Sequence, residues 1–420
     1  MTIYSRYSRI LGLVGNVLEH QDRALLSFSA PFIAGYFFSD ADPVTAVIDV
    51  YGVLVLSLWM RPLGALFFGW FGDHIGRKAG LLLSLFGMSL STFMIVVLPS
   101  YADIGYWSPI GLFVIRSMQN FFGSGEVVSA GVYVMEHTPS KKHSLISSIF
   151  EASTMLGVVL ASALTTIWAY FGLLESSWQS LFLFSSILGF ILLLFRFLCK
   201  ESPEFAPPEE KQFYLKELWS EKSTLLSVAL VTGFSYATYL LSIRLMNAYL
   251  KVTTLLSAWE LTSINTYLSV ADMLLLPVFG LMAYRLSSSY LMIYSSLLTG
   301  VLALPLFWML TQTKSVLAII TVRVTIMVLG IIFTAPYRVW MQNLVIARKR
   351  CTVLSFGAAL GHLASEGPLT MLSLVFVQFG NEWMPGLLLS VLGFCSAYVI
   401  WMTTRPSLRS TPQQAVQVLP

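Results

Sequence analysis

The feature that most constrains this chain is an apolar stretch that keeps returning. Each copy is close to the ~20 residues that a helix needs to cross the hydrocarbon core of a bilayer. Hydropathy places such segments at 8–38, 46–71, 79–98, 109–136, 144–172, 179–198, 224–250, 260–284, 289–311, 315–340, 351–378 and 384–403. They fill most of the 420 residues and leave no room for a sizeable soluble domain. In water a chain that is 56% hydrophobic and 11% charged would expose large adhesive patches. Lipid is the solvent that suits it. The expected fold class is an all-α membrane protein with about twelve transmembrane helices.

Loop charges give the expected orientation. Arg6, Arg9, Arg77, Lys78, Lys141, Lys142, Lys200, Lys211, Lys216, Lys222, Arg285, Arg348, Lys349, Arg350, Arg405 and Arg409 all fall on one side of this scheme. The opposite loops hold Asp40, Asp42, Asp103 and Glu175, with Lys251 and Lys314 as basic exceptions. Basic residues collect in cytoplasmic loops. Both termini are therefore expected in the cytoplasm of a multi-pass protein of a bacterial inner (plasma) membrane. The net charge of +4 does not point to nucleic acid, because the basic residues are spread over short loops rather than gathered on one face. The start, MTIYSRYSRI, lacks an apolar core followed by a small-residue cleavage site, so the first segment is expected to remain as an anchor. Cys199, Cys351 and Cys395 suggest no pairing and no metal spacing, and no cofactor or metal is expected.

The long polar stretch KESPEFAPPEEKQFYLKELWSEK, residues 200–222, divides the chain near its middle. The expected domains are 1–199 and 223–404, six segments each, joined by a cytoplasmic linker at 200–222 and followed by a short tail at 405–420. The linker reads as solvated, with a short amphipathic helix at 212–219 as the alternative. The halves echo each other. Gly69 of GWFGDHIGRK and Gly280 of GLMAYRLSSS are 211 positions apart. Lys141 and Arg348 are 207 apart, and so are Arg116 and Arg323. Parallel repeats around a central site are one plan on which transporters are built.

The loop between the second and third segments reads Gly69-Trp70-Phe71-Gly72-Asp73-His74-Ile75-Gly76-Arg77-Lys78. Gly72 and Gly76 permit close approach and unusual backbone angles. Asp73 can face a helix N-terminus or a cation, and Arg77 can pair with an acid. Such contacts can latch one conformation and release it in another. The loop resembles G-x-x-x-D-(R/K)-x-G-R-(K/R), the signature of the major facilitator superfamily. Three further stretches are similar to that superfamily's metabolite–proton symporter branch: Pro62-Leu63-Gly64, Arg116 to Asn120 with Gly123-Ser124-Gly125-Glu126, and Glu201-Ser202-Pro203-Glu204-Phe205. This likeness covers most of 12–205. It continues more faintly at Met246–Leu250, Gly280–Arg285 and Arg350–Gly361. The branch carries G-N-x-x-E-W-(Y/F)-D-F in its first helix. Here Gly15, Asn16, Glu19 and Asp22 are kept, His20 and Gln21 replace the aromatic pair and Arg23 stands last. Tyr284 replaces the acid of the second loop signature, and Asn120 stands where glycine is usual.

The resemblance implies two six-helix bundles and a monomeric transporter whose partners are a small-molecule substrate, protons and the lipid bilayer. The expected function is proton-coupled uptake of a proline/betaine-type osmolyte or a small carboxylate. Efflux, uncoupled facilitation, and a channel or receptor remain as alternatives. An enzyme is not expected, since no G-x-x-x-x-G-K-(S/T), H-E-x-x-H or G-x-S-x-G occurs.

Charges that persist inside a membrane usually face a cavity and work there. They are Glu19, Asp22, Arg23, Arg116, Glu126, Glu151, Arg244, Asp272, Arg323 and Glu366. Glu19 and Arg23 share a helix face and can neutralise each other. Helical rise places Asp22 and Arg116 at compatible depths, in reach of direct contact. In relatives the matching pair is thought to serve coupling. Asp22, Arg116, Glu19 and Glu126 are therefore the expected proton-coupling residues, Glu126 being a second station or only a residue near the cytoplasmic end. Arg323 and Arg116 would suit a substrate carboxylate. Tyr236 and Tyr239, with Tyr133, Trp168 and Tyr249, are candidates for an aromatic cage. Gly69, Gly72, Asp73, Gly76, Arg77 and Lys78 form the expected conformational motif.

Overall fold

A computed structural model describes residues 3–38, 43–205, 215–244, 258–313, 315–369, 372–373, 375–376 and 379–404. Among these residues every regular element is helical. Lipid offers backbone groups no hydrogen bonds, so a spanning segment must satisfy its own, and a helix does. The first half holds α1 (Ile3–Phe37), α2 (Pro43–Ser57), α3 (Met60–His74), α4 (Arg77–Val97), α5 (Tyr101–Ile104), α6 (Trp107–Glu136), α7 (His143–Tyr170), α8 (Leu173–Ser176) and α9 (Gln179–Arg196). A short helix α10 (Leu215–Ser220) precedes the second half. That half holds α11 (Lys222–Tyr239), α12 (Ala258–Arg285), α13 (Ser288–Thr313), α14 (Val316–Thr334), α15 (Tyr337–Leu344), α16 (Arg350–Ala364) and α17 (Met384–Thr404).

Nine helical segments among the described residues are long and apolar enough to cross a membrane by length and composition. The segments expected at 8–38 and 109–136 are also long helices, of 35 and 30 residues. Their buried acids and arginines lower the hydropathy. The segment expected at 351–378 is helical from Arg350, then loosens into a π turn at Ser365–Leu369. A second π turn, Leu240–Arg244, ends α11. Two breaks follow from proline, which lacks an N–H and crowds the carbonyl four residues back. Pro62 cannot donate to Leu58, whose carbonyl instead accepts from Arg61 N at 3.0 Å, and the second crossing splits into α2 and α3. Pro336 likewise separates α14 from α15.

Each half has its own packing centre. In the first, Leu25, Leu26, Ile33, Phe37, Leu112, Leu181 and Phe182 lie together. In the second, Val228, Phe234, Phe307, Ile319, Ile326, Phe333 and Leu389 do. Other large apolar residues face outward, such as Leu63, Leu194, Leu226, Val301 and Leu317. With lipid outside, turning leucine outward costs little, so helix association relies on close approach at small residues. The halves use this device in matching places. A Cβ on Gly157 of α7 would lie 2.4 Å from the Val17 carbonyl of α1, and one on Gly361 of α16 would lie 2.2 Å from the Ala229 carbonyl of α11.

The halves meet through α3 and α6 against α16, and through α7 against α12 and α15. Many of these contacts lie toward the end that bears the loops of Arg77–Lys78 and Arg348–Arg350. This is called the basic end below.

Candidate functional site

At the basic end, Asp73 closes the last turn of α3 against the first turn of α16. Its carboxylate accepts from Cys351 N at 3.0 Å, Thr352 N at 2.7 Å and Thr352 Oγ1 at 2.7 Å. An anion there satisfies free N–H groups and faces the positive end of the helix dipole. Arg77 lies 3.1 Å from Asp73 and donates to the carbonyls of Gly72 at 2.7 Å and Ala347 at 2.6 Å. It also reaches Glu136 at 3.3 Å. Arg350 of the other half reaches the same Glu136 at 3.0 Å and Glu204 at 2.6 Å. The start of the linker is part of this assembly, which corrects its reading as a solvated connection. Glu201 accepts from Lys78 N, Ser202 donates to Glu136, and the Phe205 ring lies 5.4 Å from the Arg77 guanidinium. Gly76 supplies a φ of 146° that side chains rarely adopt. The helix considered for 212–219 is observed at Leu215–Ser220, and residues 206–214 lie outside the described residues.

Gly69 matters for contact rather than conformation. A Cβ there would lie 2.6 Å from the Thr352 Cα and 3.0 Å from the Cys351 carbonyl. Both are backbone atoms, which cannot swing aside. Gly69→Ala is expected to cost this junction about 1–3 kcal/mol. The population with separated basic ends should then rise roughly tenfold, read as the distance between spin labels at the exposed positions 75 and 348, which flank this junction. An unchanged distance distribution would count against the closed latch.

Deeper in the first half, Asp22 is 5% exposed and accepts only from neutral donors: Thr92 Oγ1 at 2.6 Å, Gln119 Nε2 at 3.2 Å and Ser185 Oγ at 3.2 Å. The expected direct contact with Arg116 is not made. Arg116 gives one nitrogen to Gln119 Oε1 at 2.9 Å and another to the Arg23 carbonyl at 3.1 Å. Gln119, one turn along the same helix, reaches Asp22 first and bridges the two. Glu126 is held more tightly. Both its oxygens are held by Arg196, which also donates to the Leu11 and Leu81 carbonyls at 3.2 Å, with Ser84 Oγ on Glu126 at 3.3 Å. The group braces four helices, α1, α4, α6 and α9.

Between the halves lies a second set. Glu19 pairs with Arg61 at 2.9 Å, and His20 Nδ1 lies 2.8 Å from Glu19 and 2.9 Å from the Asn16 carbonyl. Both neighbours of that nitrogen are acceptors, so the tautomer with its proton on Nδ1 fits. Arg23 of its own helix, the partner expected for Glu19, acts on it electrostatically, and Arg61 of α3 adds a direct ion pair. Arg61 interacts electrostatically with Arg23, and across the junction with Glu366 and Tyr236. The Tyr236 ring lies 4.9 Å from His362 and 6.0 Å from Tyr239. Nearer the basic end, Arg338 Nε pairs with Glu151 of the opposite half.

The remaining candidates are dispersed. Arg323 is fully enclosed and braces three helices, donating to the Ser242 carbonyl at 2.8 Å, the Ile243 carbonyl at 3.3 Å and Asn265. It is closed off from any solute path in this conformation. Its counterpart in the repeat, Arg116, likewise donates to a carbonyl of the first helix of its half. Tyr133 donates to the Lys200 carbonyl, and Trp168 to Ser180 at 2.8 Å. Neither joins Tyr236 in a cage, and Tyr249 lies outside the described residues. Sequence reasoning missed Arg61, Gln119, Arg196 and Arg338 as members of these sets. Arg61 adjoined the Pro-Leu-Gly stretch and was legible there; Arg196 and Arg338, near segment ends, read as ordinary interfacial cations.

Two helical halves, a polar set between them and a charged junction at one end make a two-bundle membrane fold. The chain belongs to the Major Facilitator Superfamily, whose match spans residues 13–366. It is 30% identical over 313 residues to a proline/betaine transporter of Salmonella typhimurium, covering 70% of this chain but 62% of that protein. It is 25% identical over 390 residues to a citrate-proton symporter of Klebsiella pneumoniae, covering 91% and 88%. A putative proline/betaine transporter of Staphylococcus aureus is 26% identical over 416 residues, covering 93% and 87%. Among solved structures, a proton:xylose symporter superposes with a TM-score of 0.77 at 12% identity over 95% of each chain. The human organic anion transporter MFSD10 gives 0.74 at 14% identity over 95% of this chain and all of the other.

Proposed function

We propose that this chain takes up a small polar solute together with protons by alternating access in a bacterial inner membrane, with both termini cytoplasmic. The halves, taken as 1–199 and 223–404, would rock about the polar set between them. The observation that carries this reading is Asp22. A carboxylate 5% exposed, bonded by three neutral donors and one side chain removed from an arginine, can exist with or without a proton. A shift of Gln119 would hand Arg116 to it and favour the ionised form. The solute is a proline/betaine-type osmolyte or a small carboxylate, the chemistry of the named relatives. Both kinds carry a carboxylate. Arg61 suits it better than the enclosed Arg323, because it lies at the junction, where it interacts with Tyr236 and Glu366 of the other half. Tyr236 and Tyr239 would border the same solute.

The test uses proteoliposomes and radiolabelled proline, glycine betaine and citrate. One unit of pH gradient stores about 1.4 kcal/mol per proton, which supports ~tenfold accumulation at one proton per solute. Wild type should approach that ratio for one of the three, and Asp22→Asn should stay near equality across the membrane. Full gradient-driven accumulation by the variant would remove Asp22 from coupling. A wild type that equilibrates without accumulating would be an uncoupled facilitator.

A further inference from the structure

A second buried carboxylate lies at the junction of the halves, apart from the Asp22 cluster. Asp272 of α12 is 7% exposed and has no hydrogen-bond or ion-pair partner among the described residues. Leu268 and Leu276, one turn to either side, belong to an apolar cluster with Ile243, Met327 and Ile331. Ala152 and Met155 of α7 pack onto it from the other half. The charged group facing Asp272 is Glu151 of α7. Glu151 is already held by Arg338 of α15, whose guanidinium lies 4.2 Å from the Phe150 ring. Tyr337 borders the same pair. From α14, Arg323 is committed to Asn265 and to the carbonyls of Ser242 and Ile243. From α11, Tyr239 edges the cluster, while the Arg244 side chain lies outside the described residues.

Of these two neighbouring carboxylates, Glu151 has a cation and Asp272 has none among the described residues. With both ionised, the site holds one uncompensated negative charge in apolar surroundings, which is costly; one bound proton removes it. We propose that Asp272 binds and releases a proton during the transport cycle, in step with the Glu151–Arg338 pair that ties the halves together. The proton comes from water on the outer side and forms an O–H bond on the Asp272 carboxyl. It leaves to water at the basic end, and Arg338 stays charged throughout. With Asp272 protonated, Arg338 belongs to Glu151 and the halves are tied, as observed here. With Asp272 ionised, it repels Glu151, so the tie weakens.

This rests on the transport reading, and the experiment separates the two. Proteoliposomes are loaded with whichever of proline, glycine betaine or citrate the wild type accumulates, and both accumulation and solute exchange are followed against pH. Asp272→Asn should lower the accumulation ratio about tenfold under a one-unit gradient, the loss of one proton per solute. Its exchange should fall far less and become flat with pH. Asp272→Glu should restore accumulation. Wild-type-like accumulation by Asp272→Asn overturns the proposal. So does equal loss of exchange and accumulation in both variants, which would make Asp272 a packing residue. A wild type that shows no gradient-driven accumulation fails the transport reading itself, before any variant is made.

Discussion

Cutting Glu126 back to alanine should destabilise the protein by about 3–5 kcal/mol, the cost of leaving a buried arginine without its counter-charge. Glu126 is fully enclosed and Arg196 is 3% exposed. Both Arg196 Nη atoms point at the carboxylate, and neither has water to turn to. The pair also sits where α1 comes closest, since a Cβ on Gly15 would lie 1.8 Å from Arg196 Nη2. Nothing in that space can move in to replace the lost charge. The single substitution should therefore lower the unfolding temperature in detergent strongly or abolish expression. Removing both charges is a different case. Glu126→Leu with Arg196→Met deletes the desolvation cost together with the attraction and fills a similar volume, which is often close to neutral. The double variant should recover most of the lost stability. If the single variant unfolds like the wild type, the pair is not the brace described here.

Asp73→Asn is expected to open the basic end. The substitution keeps the shape of the side chain but removes the charge that faces the α16 N-terminus and Arg77. Hydrogen bonds to a charged group are worth about 1.5–3 kcal/mol, and a loss of that size shifts a two-state balance roughly 10- to 100-fold. Cys351 reports the change. Its thiol is fully buried, and a Cβ on Gly72 would lie 3.4 Å from its Sγ, so a reagent reaches it only when α3 and α16 part. In a Cys199→Ser, Cys395→Ser background, alkylation of Cys351 should accelerate by that factor in Asp73→Asn. An unchanged rate would mean that the charge does not hold the closed state.

The repeat makes this latch lopsided. The position equivalent to Asp73 is Tyr284, which is 59% exposed and holds no helix end. At that second junction a Cβ on Gly280 would lie 1.9 Å from Ser148 Oγ, and Ser144 and Ser288 face each other at 3.4 Å. At the loop end the contact of α7 with α12 is thus between neutral side chains, whereas that of α3 with α16 depends on charge. Substitutions within the Asp73, Arg77 and Glu136 set should therefore act on the α3–α16 side of the basic end.

The sequence by itself determined the solvent, the helix count to a close approximation, the halves and the loop that latches them. Each is written in neighbouring residues: about 20 apolar positions in a row for a crossing, a glycine-acid-arginine spacing for the turn, a proline for each break. The partners were a different matter. Glu19 meets Arg61 from 42 positions away, Glu126 meets Arg196 from 70, Arg338 meets Glu151 from 187, and Asp73 meets Thr352 from 279. A buried charge announces in the sequence that it needs a partner, because lipid will not solvate it. Which residue answers depends on which helices stand side by side and how each is turned. Only the packing of small residues between those helices settled that, and with it the addition of Arg61 to Arg23 beside Glu19 and the bridge of Gln119 between Asp22 and Arg116.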